Sequence, residues 1–520
     1  MRRSRPAWPA ALGIVSLIAS SLACARADVP AVLPTTDPTH PVPTAAPPTE
    51  APTLAPSPTS EPATPTPAAP EPVVSPTFPS TPTADTTQEP GTIVYRAQSG
   101  DTLRNLAIRF GVVPSDIVSP EGPIDDEMAL INLDQLLLVP RRLGPTGPAD
   151  LLIPDSEFVD SPHAADFDPS GVAVRQGGFL LRYQEAIGGV WRSGPEIVAL
   201  AARDNSVNPR LLMALLEYEA GWVTDPTRPD GDAFKYPLGH ADPTTPGLYR
   251  QLTWAANELG NGFYGWRAGS LTDIDLADGT DVRLAPELNA GTVSLQYYFA
   301  LRNGESEWRQ AISPSGFLET YTELFGDPVA YYHPLYEPGL QQPELILPFT
   351  QGATWAFTGG PHGAWEREAA WAALDFAPKS TLPGCAPSTD WATAAAAGLV
   401  VRSGNGLVVL DLDGDGREQT GWVLLYLHVA DEGRVAAGDL VEQGDRIGHP
   451  SCEGGIATGT HIHIVRKYNG EWILADGPLP FVLSGWTAHG GSRPYQGALT
   501  KGDQTVLACP CATSETLISR

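Results

Sequence analysis

Between Asp28 and Pro90 almost every residue is proline, threonine, alanine or serine, in phrases such as Pro43-Thr44-Ala45-Ala46-Pro47-Pro48. Such a segment cannot bury enough apolar surface to offset its ordering entropy, and its prolines hold it extended. Any packed core is therefore confined to the residues on either side. Residues 28–91 read as a disordered spacer. Residues 1–27 read as an export signal, in which Arg2, Arg3 and Arg5 precede an apolar run from about Trp8 to Ala23 that is too short to span a bilayer comfortably.

Two processing sites compete. Ser21-Leu22-Ala23-Cys24 resembles a bacterial lipoprotein box, which would put a lipid on Cys24, whereas Ala25-Arg26-Ala27 would release the chain. Either way the protein is exported to the cell envelope or beyond. The 32 basic residues against 60 acidic, a formal charge of -28, exclude nucleic acid or an anionic membrane surface as partner, because phosphate contacts need clustered Lys and Arg. Beyond Cys24 the cysteines are Cys385, Cys452, Cys509 and Cys511, an even set that points to disulfides in an exported protein. Cys509 and Cys511 are separated only by Pro510, so each is expected to reach back to Cys385 or Cys452 and clip the tail to the last domain.

Composition changes at Gly91. A short strand leads to Ser99-Gly100-Asp101-Thr102, and Leu103, Leu106, Ala107 and Phe110 follow at helical spacing. Together with the later Leu136-Leu137-Leu138-Val139-Pro140 end, residues 92–142 resemble a LysM domain. The resemblance implies a small βααβ fold that binds N-acetylglucosamine-containing glycans, with Gly100, Asp101 and Thr102 in the ligand-binding loops beside Ser99 and the Leu130–Asn132 region. Ser119-Pro120-Glu121-Gly122 departs from the usual pattern.

Residues 175–330 are rich in helical periodicity, with helices expected at Pro195–Asp204, Pro209–Glu219, Tyr249–Glu258, Pro286–Leu301 and Glu305–Phe325. Leu212, Leu215, Leu216 and Glu219 stand at i, i+3, i+4 and i+7, which places Glu219 on an apolar stripe. Two readings follow: a carboxyl raised by burial and fit for general acid catalysis, or a helix-end carboxylate paired with an arginine. The stretch weakly resembles a lysozyme-like transglycosylase core, which would make Glu219 the glycan-cleaving acid, although Ala220 stands where that family has serine.

The last third holds the densest chemistry. Cys452 to Ile464 reads C-E-G-G-I-A-T-G-T-H-I-H-I, and on a strand His461 and His463 share one face. Upstream, His362 follows a glycine-rich turn, Asp375 follows an apolar run, and Val423 to Leu427 deliver His428. One Asp and four His on strands or strand ends suit a catalytic metal site, since two His and a carboxylate leave a fourth zinc position for water. His449 lies outside this pattern and reads as a solvated loop residue.

In order and spacing these residues resemble the M23 family of zinc metallopeptidases, in particular its β-lytic, LasA-like branch, across roughly Leu347 to Val482. The resemblance implies a mainly β, antiparallel domain over 340–511, zinc held by His362, Asp375 and His463, and His428 and His461 serving the chemistry. It also implies peptidoglycan peptides as substrate. Asp411, Asp413, Asp415 and Gly416 imitate the first half of a calcium loop, but the twelfth position is Trp422; a charged hairpin tip and a Ca2+ site are the two readings. The sequence thus predicts a multidomain protein: a LysM module, a mainly α lysozyme-like domain and an M23 peptidase domain, with a non-enzymatic wall-binding or hydrolase-activating protein as the alternative.

Overall fold

The computed structural model describes residues 91–365, 370–379 and 384–520, so the expected export signal, Cys24 and nearly all of the spacer lie outside the described residues. The first element pair is Thr92–Arg96 with Leu136–Pro140, antiparallel, with Tyr95, Leu137 and Val139 buried against the helix Leu103–Phe110. The expected second α-helix does not form. A single 3-10 turn, Pro114–Asp116, takes its place, because Pro120, Gly122 and Pro123 interrupt the following chain.

The helices fall at Gly194–Asn205, Pro209–Ala220, Leu248–Arg267, Ala290–Ala300, Glu305–Ala311 and Phe317–Phe325. Two differ from expectation for physical reasons. The third runs nine residues past Glu258, through Gly260, Gly262 and Gly265, residues of low intrinsic helix propensity. Gly262 is required by packing: a Cβ there would stand 2.8 Å from the Cα of Ser294 on the neighbouring helix, so its absence lets the two backbones approach. The expected helix over Glu305–Phe325 breaks in two at Ser313-Pro314-Ser315-Gly316. The core also starts earlier than the expected boundary at residue 175, since Leu152, Ile153, Phe158 and Val159 belong to it.

The C-terminal part is built on a nine-stranded sheet. Eight strands run Leu440–Val441, Gly398–Gly404, Leu407–Asp411, Trp422–Leu427, Ile462–Tyr468, Trp371–Pro378, Thr354–Gly363 and Leu517–Ser519, with Glu471–Trp472 pairing beside Ile462–Tyr468. Every pairing is antiparallel, as expected. The last strand carries the sheet past the expected limit at residue 511. Strand alternation sorts the apolar residues onto two faces. Val408, Leu410, Leu424, Tyr426, Ile462 and Ile464 join one core with the small four-stranded sheet that holds Trp486, Leu499 and Val506.

Leu407, Val409, Val423, Leu425 and Val465 face the other way and share a core with the helices. The helical half and the sheet are therefore one packed body rather than beads on a string. Trp472 seals the join: its indole N–H donates to the Asn205 carbonyl at 3.2 Å and its amide to the Tyr264 hydroxyl at 3.1 Å. Buried charge crosses it too, from Asp204 to Arg402 (2.6 Å), Arg402 to Glu418 (3.0 Å) and Glu418 to Lys467 (3.2 Å). Among the described residues no helix is long and apolar enough to cross a membrane.

The disulfides overturn one expectation. Cys385 pairs with Cys452, and Cys509 pairs with Cys511 rather than reaching back to either. Folding about Pro510 brings the Cα atoms of Cys509 and Cys511 within 5.1 Å, inside the range a disulfide spans. The tail is held instead by its own strand, Leu517–Ser519, along the edge of Thr354–Gly363.

Candidate metal centre

Three adjacent strands bring His362, Asp375 and His463 together. Asp375 and His463 are direct cross-strand partners, and His362 lies opposite Ala373 on the next strand. Their facing atoms form a small triangle: His362 Nε2 to His463 Nδ1 is 3.1 Å, and each is 3.3 Å from Asp375 Oδ1. All three residues are buried.

The tautomers make this triangle informative. His362 Nδ1 lies 2.8 Å from the Gly360 carbonyl and His463 Nε2 lies 3.0 Å from the Ala364 carbonyl. A carbonyl only accepts, so each of those nitrogens carries the ring proton, and in the neutral rings the inward nitrogens are bare lone pairs. Asp375 Oδ1 is buried with no hydrogen-bond partner. Three acceptors aimed at one another repel unless a cation sits among them. Their spacing suits zinc, because tetrahedral ligands at bond lengths of about 2.0–2.1 Å stand about 3.3 Å apart.

His428 and His461 flank the triangle. Their rings are 4.4 Å apart, and His461 Nε2 lies 3.7 Å from Asp375 Oδ1. His461 and His463 do look the same way, although His461 sits in a single bridge to Ser451 just before the strand begins. Each outer histidine is also fixed by a carbonyl, His428 Nδ1 by Glu453 (2.9 Å) and His461 Nδ1 by Gly459 (2.8 Å). His428 has a left-handed backbone, φ 66°, a conformation that costs a non-glycine residue energy and is concentrated at functional sites. Burial pushes its imidazole down to about 4, with His461 and His463 adding to the effect.

Two further residues shape the site. Gly359 stands opposite Asp375, where a Cβ would come 2.5 Å from Asp375 Oδ2. Gly359→Ala is expected to displace that carboxylate and weaken zinc binding by roughly 10–100-fold, as loss of a supporting group around a metal does; competition with a chelating dye measures it. Tyr495 stacks on His362 with ring centroids 4.1 Å apart. Sequence reasoning missed it because it lies in a Gly-Ser-Arg-Pro loop with no pattern tying it to the site.

The remaining candidates are placed elsewhere. His449 packs at a tilt against Trp391, ring centroids 3.8 Å apart, with its Nδ1 2.8 Å from the Asp390 carbonyl, and joins none of the triangle's contacts. Asp411, Asp413 and Asp415 form the tip between two strands, and their oxygens already accept from the amides of Gly416, Asp415 and Arg417. That arrangement is a self-tied hairpin tip, and calcium finds no support. Glu219 pairs with Arg302, and burial outweighs that pairing to leave its carboxyl raised, so both the helix-end pairing and the raised carboxyl have a counterpart in the structure.

Gly100, Asp101 and Thr102 do not line an open groove. Thr102 caps the helix that follows, Asp101 pairs with Arg109 (2.7 Å) and Tyr95 (2.7 Å), and Gly100 lies under Arg267. The Ser99 hydroxyl also takes the Tyr336 amide. In this arrangement the expected glycan loop is closed by the rest of the protein.

A family profile described as LasA, N-terminal domain, matches residues 151–338, the helical half with its early start at Leu152. Protease LasA of Pseudomonas aeruginosa, in strains UCBPP-PA14 and PAO1, is 26% identical over 297 residues, which covers 52% of this chain and 65% of the relative. This chain is similar to Protease LasA. It spans slightly under two thirds of that relative's length. Among solved structures, the M23 metalloprotease pseudoalterin from the deep sea aligns at 22% identity and TM-score 0.28, covering 33% of this chain and 96% of that one. A zinc-containing peptidase from Vibrio cholerae aligns at 20% identity and TM-score 0.17, covering 26% and 41%.

Proposed function

We propose that the protein is an exported zinc endopeptidase of M23 type that hydrolyses amide bonds in peptidoglycan peptides. The observation that carries the metal is the triangle of lone-pair atoms from His362, Asp375 and His463, which has no proton among the neutral rings and the spacing of a tetrahedral face. The similarity to Protease LasA supports peptide hydrolysis, and the expected export signal supports a substrate outside the cytoplasm, the wall. A zinc ion in that position supplies Lewis-acid polarisation of the scissile carbonyl and a bound water acidic near neutrality.

The chain's own residues divide the proton work. His428 gives its Nδ1–H to the Glu453 carbonyl and so presents a bare Nε2, which accepts the proton of the attacking water. His461, 3.7 Å from the Asp375 oxygen, is the imidazole placed to carry a proton toward the leaving amine. The pairing of Glu219 with Arg302 gives no support to glycan cleavage.

The test is digestion of purified peptidoglycan, counting new amino termini with and without a zinc chelator. Release that stops with chelator and returns with zinc is expected, and release indifferent to chelator would sink the assignment. A protein that only activates other hydrolases would release nothing alone. His428→Ala is expected to keep its zinc and lose about 10²–10⁴ in kcat, the usual worth of a general base.

A further inference from the structure

The disulfide Cys385–Cys452 ties together two loops, and each loop holds one of the two outer histidines. On the Cys452 side, Ser451 donates to the His428 carbonyl from its amide (2.7 Å) and its hydroxyl (3.0 Å), and the Glu453 carbonyl takes the His428 ring proton at 2.9 Å. Gly454 completes this turn in a left-handed conformation, φ 83°, with the Asn405 carbonyl where a Cβ would be. On the Cys385 side, the Gly384 carbonyl accepts from the Thr460 amide (3.1 Å) and hydroxyl (3.2 Å), and the Ala386 carbonyl accepts from the same hydroxyl at 2.7 Å. Thr460 immediately precedes His461. Ser451 closes the circuit, since its carbonyl takes the His461 amide at 3.3 Å.

The metal triangle is supported quite differently, by the sheet ladder and by the Gly360 and Ala364 carbonyls. We propose that Cys385, Cys452 and Thr460 are positioning residues that set the separation and ring orientation of His428 and His461 while leaving the metal ligands untouched. The disulfide fixes the distance between the two loops, which transmit it through the Glu453 carbonyl to the His428 ring and through the Gly384 and Ala386 carbonyls to Thr460, the residue before His461. This inference rests on the proposed roles of His428 and His461 in amide hydrolysis.

The experiment compares the zinc-loaded full chain with the Cys385→Ala/Cys452→Ala double variant and with Thr460→Val, which keeps the disulfide. Zinc content, peptidase kinetics and the ¹⁵N resonances of the labelled histidine rings are read on each. Expected for the double variant are unchanged zinc, unchanged KM, and a fall in kcat of about 10²-fold, the scale on which misplacement near 1 Å acts. The His428 ring is expected to lose its single Nδ1–H tautomer. Thr460→Val is expected to lower kcat less, with KM again unchanged, and it carries the kinetic comparison if the double variant does not fold. Retained kcat in either folded variant, or loss of zinc along with kcat, would overturn the proposal. An inactive parent protein would instead indict the proposed function, and the tautomer comparison would still decide whether the disulfide orients His428.

Discussion

Asp375→Asn is expected to yield a folded protein that holds no zinc at neutral pH and releases no amino termini from peptidoglycan. The amide keeps the size of the carboxylate and its place opposite His463, so the ladder survives. What it removes is the anionic member of the triangle. Asp375 Oδ1 is the atom equidistant from His362 and His463, at 3.3 Å from each. A neutral amide is a weaker zinc ligand and can turn its NH2 toward the same centre, where it competes with the cation. Metal analysis after dialysis, with a parallel thermal melt, separates lost metal from lost fold. Zinc retained at full occupancy with activity intact would show that the triangle is not the metal site.

Glu418→Ala is expected to cost about 3–5 kcal/mol of stability, the usual result of stripping the partner from buried charge. Glu418 is buried and lies between Arg402 and Lys467, itself 1% exposed. Burial would push Glu418 up, yet Lys467 and Arg402 hold it below the usual carboxylate range. The sign of the pH effect follows. Because the folded value lies below 4.5, this group's contribution is present in full above pH 4.5 and is lost as pH falls through the folded value. Urea titrations at pH 7 and in mild acid check both statements, since the gap between parent and variant should narrow in acid. Glu305→Ala, which breaks the half-exposed pair with Arg309, serves as the control and is expected to do little.

The triangle was legible because its chemistry is local. His362, Asp375, His428, His461 and His463 each sit on or beside an apolar run that reads as a strand, and ligand chemistry restricts what five such residues can do together. What stayed hidden depended on distant partners. The helix expected to end at Glu258 runs on through Gly262, and nothing near that glycine in sequence shows Ser294 pressing on its position. Gly100, Asp101 and Thr102 looked like a ligand loop because Arg267 and Tyr336, which close it, come from far along the chain. The disulfides misled for a related reason: separation by one proline suggests a forbidden pair, whereas the fold places that proline at a turn. Glu219 was readable only as two alternatives because its partner, Arg302, comes from the turn after a helix far along the chain, and the carboxyl is both paired and raised.

His463 and Val465 stand on one face of one strand, about 7 Å apart at the usual rise per residue. Val465 already lies beneath the helices. Under the proposed function, a peptide laid across the metal ligands would have the helical half on the Val465 side and open chain on the side of His461 and the Ser451 loop. In that reading the helical half would set the direction in which a substrate chain threads across the metal ligands.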